Sequence, residues 1–215
     1  MWPVIELVVP EAGERDDLGA FVARAVRLDQ AAAVRLRHGA DAGRVDVWVS
    51  TPFDTLVTRS VAGSLTPADV TVSGSELLAA LAIVGGERVD PGTPRDLLWR
   101  SALPPGEGWR FVDQVPASLL GELTDRGVAL AREHVGPQGT PPASLLDQTV
   151  LTVSGAGLDV KVPLRCLFAL SGMGFVAVDA VDEPVKISAT DAWLRMDARY
   201  GAVVRRRHAL LPLLV

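Results

Sequence analysis

Val34-Arg-Leu-Arg-His-Gly-Ala-Asp-Ala-Gly-Arg-Val-Asp-Val-Trp-Val49 decides the fold class. Val34, Leu36 and His38 alternate with Arg35 and Arg37, and beyond the Gly39–Gly43 turn Val45, Val47 and Val49 alternate with Asp46 and Trp48. A period of two puts one phase inward and the other outward, so the stretch reads as an antiparallel hairpin with His38 on the inward phase. Arg on one strand and Asp on the other predict cross-strand ion pairs on a solvated face.

Outward from the hairpin, Val4–Val9 reads as a strand, and Leu18, Phe21, Val22, Ala25 and Val26 share one face of a following helix. Thr55–Ala62 adds a third strand, and Asp69–Val72 a short one. Ser73-Gly-Ser-Glu76 then caps an apolar helix over Leu77–Val84. Gly, Pro and charge mix from Gly85 to Pro94, which predicts two lobes, residues 1–92 and 93–215. In the second lobe a short helix near Arg95–Ser101 and an extended piece at Trp109–Val112 precede a long helix, Pro116–Val135. Pro116 stands at its first turn, and Leu119, Leu120, Leu123, Gly127, Leu130, Ala131 and His134 form its apolar face. Leu151 and Val153, a Gly155-Ala-Gly157 turn, and Leu158, Val160 and Val162 predict a second hairpin. Leu164–Ser171 is apolar almost all round and reads as a buried helix, and a meander over Val185–His208 ends the pattern. The expected class is therefore α+β, with antiparallel hairpins and meanders packed against amphipathic and buried helices in two lobes. Thr-Val-Ser-Gly occurs at 71–74 and again at 152–155, but valine-rich strands ending in Ser-Gly are common, which favours coincidence over duplication.

Composition narrows function mostly by exclusion. The 215-residue chain carries a net charge of -5, which argues against nucleic acid as a partner. Only Lys161 and Lys186 among 21 basic residues are lysines, so the abundance of arginine reflects a G+C-rich genome as much as phosphate recognition. No apolar window reaches the length of a membrane span, Met1–Pro10 lacks a basic start, and the lone Cys166 cannot form an internal disulfide, so the cytoplasm is the expected compartment.

No reactive constellation emerges. Cys166 lies within an apolar helix and reads as a packed thiol. His38, His134 and His208 have no metal-type spacing with Cys, Asp or Glu, and His38 on an inward strand phase and His134 at a helix C-terminus each have a structural explanation. The glycine clusters sit in a hairpin or after a helix, which is the wrong order for a phosphate loop. Asp16-Asp17 falls in the first turn of a helix, and Asp182-Glu183 in a loop before Pro184. No catalytic residue, metal site or cofactor is therefore assigned. The positive charge gathers instead at Arg195, Arg199, Arg205, Arg206 and Arg207. Arg205, Arg206 and Arg207 are taken as the candidate binding residues, against the alternative of a charge-protected edge strand. The apolar Leu210–Val215 tail beside them suggests docking on the core or a contact with a protein partner, the simplest being a second copy in a homodimer.

Thr51-Pro-Phe-Asp54, Cys166-Leu-Phe-Ala-Leu-Ser-Gly-Met-Gly-Phe175 and Trp193–Arg207 together resemble an uncharacterised protein family of high-G+C Gram-positive bacteria, nearly end to end. The resemblance implies a compact cytosolic protein and brings no activity or catalytic residue with it. The leading functional expectation is a non-enzymatic cytosolic interaction or regulatory module. The alternative is a small-molecule-binding protein or enzyme with a pocket between the lobes, using Trp109, Arg110 or His134.

Overall fold

The computed structural model describes residues 5–83, 86–133, 142–176 and 183–207. The chain forms two compact units, Met1–Leu103 and Pro104–Val215, rather than lobes meeting at 92/93. Residues just past 92 close the edge of the first unit. The Arg95 N–H donates to the Thr71 carbonyl (2.7 Å), and the Thr71 N–H donates to the Asp96 carboxylate (2.7 Å).

Unit 1 runs β1 (Glu6–Val8), α1 (Ala12–Leu28), β2 (Ala33–His38), β3 (Arg44–Ser50), β4 (Leu56–Ala62), β5 (Ser64–Thr66), β6 (Asp69–Ser73), α2 (Gly74–Ile83) and β7 (Arg88–Val89). Strands β6, β2, β3 and β4 pair antiparallel in that order, and β5, β1 and β7 form a separate small sheet. The opening hairpin has the expected register, with Val34 opposite Val49 and Leu36 opposite Val47. Val34, Leu36, Val45, Val47, Val70 and Val72 are all buried, as are Leu18, Phe21, Val22 and Ala25 of α1, which packs on α2 and β4. Each such side chain contributes roughly 1.5–3 kcal/mol by leaving water.

Three local expectations change here. Arg35 and Arg37 do not pair with Asp46 across the hairpin but converge on Asp69 of β6, at 2.8 and 3.0 Å. The register explains this, since Arg37 lies opposite Asp69 on the neighbouring strand as well as opposite Asp46. His38 is exposed at the end of β2, where its Nε2 meets the Leu65 carbonyl at 2.8 Å. Trp48, on the phase read as polar, is buried.

Unit 2 runs β8 (Arg110–Pro116), α3 (Ala117–Glu133), the single turn α4 (Ala143–Leu146), β9 (Thr149–Gly155), β10 (Leu158–Pro163), α5 (Leu164–Gly172), β11 (Pro184–Ala189), β12 (Trp193–Ala198) and β13 (Gly201–Arg206). Strands β13, β12, β11 and β8 pair antiparallel in that order. The β9–β10 hairpin turns on Ala156 and Gly157, both at positive φ (49° and 73°), the geometry of a tight two-residue turn. Gly155 is required for a second reason. A Cβ there would lie 2.1 Å from the Val112 carbonyl oxygen, so β9 approaches β8 only because that position has no side chain.

The buried face of α3 is Ala117, Leu120, Thr124, Gly127 and Ala131, rotated from the expected stripe so that Leu119 is exposed. The Thr124 hydroxyl donates to the Leu120 carbonyl (2.7 Å), which removes the cost of burying it. Gly127 sits against Leu164 of α5, where a Cβ would come within 2.3 Å of a Leu164 methyl. The two Thr-Val-Ser-Gly phrases occupy different places, one entering α2 directly and the other ending β9 before a hairpin.

Candidate functional site

In unit 2 the arginines read as binding residues each have a partner close by. Arg205 Nη2 donates to Asp147 Oδ1 at 3.1 Å, the same oxygen that accepts from Arg165 at 2.7 Å. Arg206 lies over the Trp193 ring, 4.7 Å from its centroid. Arg207 donates to the carbonyls of Thr190 (2.9 Å) and Asp159 (2.5 Å). Arg195 pairs with Asp197 at 2.7 Å, and Arg199 with Glu183 at 3.5 Å. Arg205 and Arg207 thus tie β13 and the residue after it to the turn after α4 and to β10. Opposite registers bring Arg205 to Leu194 and Arg206 to Trp193, which sends their side chains to opposite sheet faces.

Cys166 is buried in α5, and no group of three or more metal-ligating side chains occurs among the described residues. His134, His208 and Leu210–Val215 lie outside the described residues. Trp109 donates its indole N–H to the Pro105 carbonyl (3.0 Å), and Arg110 pairs with Asp191 at 2.5 Å.

Unit 1 contains a feature that sequence reasoning missed, an open cleft of about 540 Å3. The turn after α1 supplies Leu28 and Ala32, the turn after β3 supplies Ser50 and Thr51, and the chain at 98–101 closes the third side with Leu98, Trp99 and Arg100. These come from three distant stretches of sequence and share no motif. The third wall is held in place. Arg95 Nη2 donates to Glu76 (2.7 Å), and the Arg35 guanidinium, fixed by two 2.8 Å bonds to Asp69, lies 5.8 Å from the Trp99 ring centroid. Asp69 holds the Arg35 guanidinium even more firmly protonated than usual, and the Arg95 guanidinium keeps the Glu76 carboxyl below the ordinary carboxylate range.

Helices α1, α2 and α3 are not basic. Glu14, Asp16 and Asp17 balance Arg15, Arg24 and Arg27 on α1, Glu122, Asp125 and Glu133 exceed Arg126 and Arg132 on α3, and α2 carries Glu76 alone.

Comparison with known proteins accounts for the chain in two pieces. Residues 3–101 match the family model "Domain of unknown function (DUF8010)", and residues 104–210 match "Domain of unknown function (DUF8185)". No curated protein matches. Among solved structures, a putative DNA polymerase III beta subunit from Eubacterium rectale is similar over 98% of this chain and 67% of its own, with a TM-score of 0.60 at 12% identity. The DNA polymerase sliding clamp from Pseudomonas aeruginosa matches 97% of this chain and 66% of its own, with a TM-score of 0.58 at 12% identity. The griselimycin-bound DnaN sliding clamp from Bartonella birtlesii matches 97% and 66%, with a TM-score of 0.56 at 13% identity. The chain therefore spans about two thirds of the length of these clamps, and the likeness is one of fold.

That likeness corrects the functional expectation. The expectation of a non-enzymatic interaction or regulatory module, with a pocket-bearing protein as its alternative, is contradicted by the fold match along almost the whole chain, which is to DNA sliding clamps. Nor does the net charge any longer argue against nucleic acid, since an acidic total says nothing about where a protein contacts DNA. Among the described residues no helix is long and apolar enough to cross a membrane.

Proposed function

We propose that this protein is DNA-clamp-like, with copies associating, in the simplest case as a homodimer, to hold onto DNA. The observation that carries this reading is the fold match over 97–98% of the chain to DNA sliding clamps, spanning both units. The near-neutral helices shape the mechanism. A protein that grips DNA by neutralising many phosphates loses affinity steeply with salt, because each contact releases counterions. With the charges of α1 and α3 near balance and α2 carrying Glu76 alone, retention on DNA here comes from enclosure more than from charge.

The test assembles dilute protein in the presence of a nicked circular plasmid and passes the mixture through a sizing column. Protein co-eluting with the circle, persisting at 200 mM salt and released when the plasmid is linearised, is the expected result. Equal retention on circular and linear DNA, or none on the circle, contradicts the reading.

A further inference from the structure

Strand β6 has the sequence of an edge that pairs readily with another strand. Asp69-Val-Thr-Val-Ser73 is β-branched from Val70 to Val72 and carries Asp69 as its single charge. Asp69 is drawn onto Arg35 and Arg37 of β2, at 2.8 and 3.0 Å, so it does not guard the edge. An unguarded edge offers its N–H and C=O groups to any second strand. Toward β2, Val34 lies opposite Val72 and Leu36 opposite Val70. Alternation therefore turns the backbone groups of Asp69, Thr71 and Ser73 outward.

The chain itself covers the middle of that edge. The Arg95 N–H donates to the Thr71 carbonyl, and the Asp96 carboxylate accepts the Thr71 N–H, both at 2.7 Å. Polar contacts hold this cover in place. Arg95 Nη2 donates to Glu76 at 2.7 Å, the Thr93 N–H to the same carboxylate at 3.4 Å, and the Gly92 N–H to Asp90 at 3.0 Å. No residue of the 3-10 turn Asp96–Leu98 is buried, and Leu97 is 93% exposed. A segment that buries so little apolar surface opens locally at low cost.

We propose that residues 92–98 are an autoinhibitory cap on β6, and that opening the cap lets β6 pair antiparallel with β6 of a second copy, centred on Thr71. Register selects that occupant. Thr71 presents both an N–H and a C=O outward, so two copies exchange both bonds about a twofold axis. The same register sets Asp69 of each copy opposite Ser73 of the other, so no like charges meet across the pair. The edge and its cap lie wholly within unit 1, and the proposal stands whether or not the protein encloses DNA.

The test opens the cap in the full chain. Arg95→Ala combined with Asp96→Ala removes the carboxylate that accepts the Thr71 N–H and the side chain that ties the cap to Glu76. Both positions are exposed, and an unchanged thermal midpoint will show that the variant folds; if it melts early, Asp96→Ala alone takes its place. In dilute solution, amide exchange at Thr71 should be about tenfold or more faster than in the parent protein. Light scattering without DNA, over a series of concentrations, should show the molar mass of the variant rising toward about twice that of the parent. Adding Ser73→Pro, which removes an outward N–H and is tolerated on an edge strand, should return the mass to the parent value. Thr71 exchange at the parent rate, or a mass equal to the parent's at every concentration, overturns the proposal. So does added mass that survives Ser73→Pro. None of these measurements involves DNA, so plasmid retention measured separately keeps failure here apart from failure of the clamp-like reading.

Discussion

Helices α2 and α5 look alike in sequence and differ in the fold. Each is short, apolar and almost free of charge, with Glu76 alone in α2 and Arg165 alone in α5. Yet in α5 every residue from Leu164 to Leu170 is buried, whereas in α2 only Gly74 and Leu77 are, and Ile83 is 83% exposed. The difference lies in the neighbours. Within unit 2, α5 packs on α3, α4, β10 and β13, while within unit 1, α2 rests mainly on α1 and β6. Apolarity states what a helix can bury, and topology decides how much of it is covered.

Substitution in the two helices should separate them most sharply. Leu167 in α5 is fully buried, so Leu167→Ala removes a packed side chain and leaves a cavity, at a cost of about 2–5 kcal/mol. Ile83→Ser in α2 should change stability by less than about 0.5 kcal/mol, because the side chain already faces water. Urea denaturation of both variants checks this. Equal shifts in midpoint would mean that α2 is covered in solution.

The charges of the two helices give a smaller contrast. Arg165 is 6% exposed, and its Nε and Nη2 donate to Asp147 Oδ1 at 2.9 and 2.7 Å. A buried guanidinium deprived of such an acceptor bears its desolvation cost, so Asp147→Ala should destabilise by roughly 1–3 kcal/mol. Asp147→Asn keeps a carbonyl acceptor and should lose less. If both variants match the parent protein in urea, the pair does not hold α5 in place.

Much of this architecture is legible in the residues themselves, where period and punctuation agree. The β2–β3 and β9–β10 hairpins, the long α3 and the all-apolar α5 follow from alternation, glycine turns and helical spacing. What escapes depends on contacts between distant segments. Thr124 is buried in α3 while Leu119 is exposed, because Gly127 opens one face of the helix to Leu164. Asp69 rather than Asp46 takes Arg35 and Arg37 because β6 lies on the other side of β2. The cleft is read even less readily, since its three walls are separated by more than half of unit 1 and its fold relatives share only 12–13% identity.

The smallest predicted effect concerns Glu76, the single charge of α2. Its carboxyl is held below the ordinary carboxylate range chiefly by its hydrogen bond to Arg95, helped by the Thr93 N–H, while burial opposes the shift. A carboxyl depressed in the folded state stabilises at pH values above its unfolded pKa of about 4.3, and that contribution is lost as pH falls through the lower folded value. Both partners are more than a third exposed, at 38% and 46%, so solvent screening limits the pair to less than about 1 kcal/mol. Glu76→Gln should therefore fall slightly below the parent protein in urea at pH 6, and the gap should narrow as the pH is lowered. The third wall of the cleft gives a second readout, because Arg95 ties it to α2. Amide exchange at Leu98 and Trp99 should quicken in Glu76→Gln at pH 6 with little change in α1. Exchange that stays at the parent rate at pH 6 would show that the backbone bonds to Thr71 hold the segment without the ion pair.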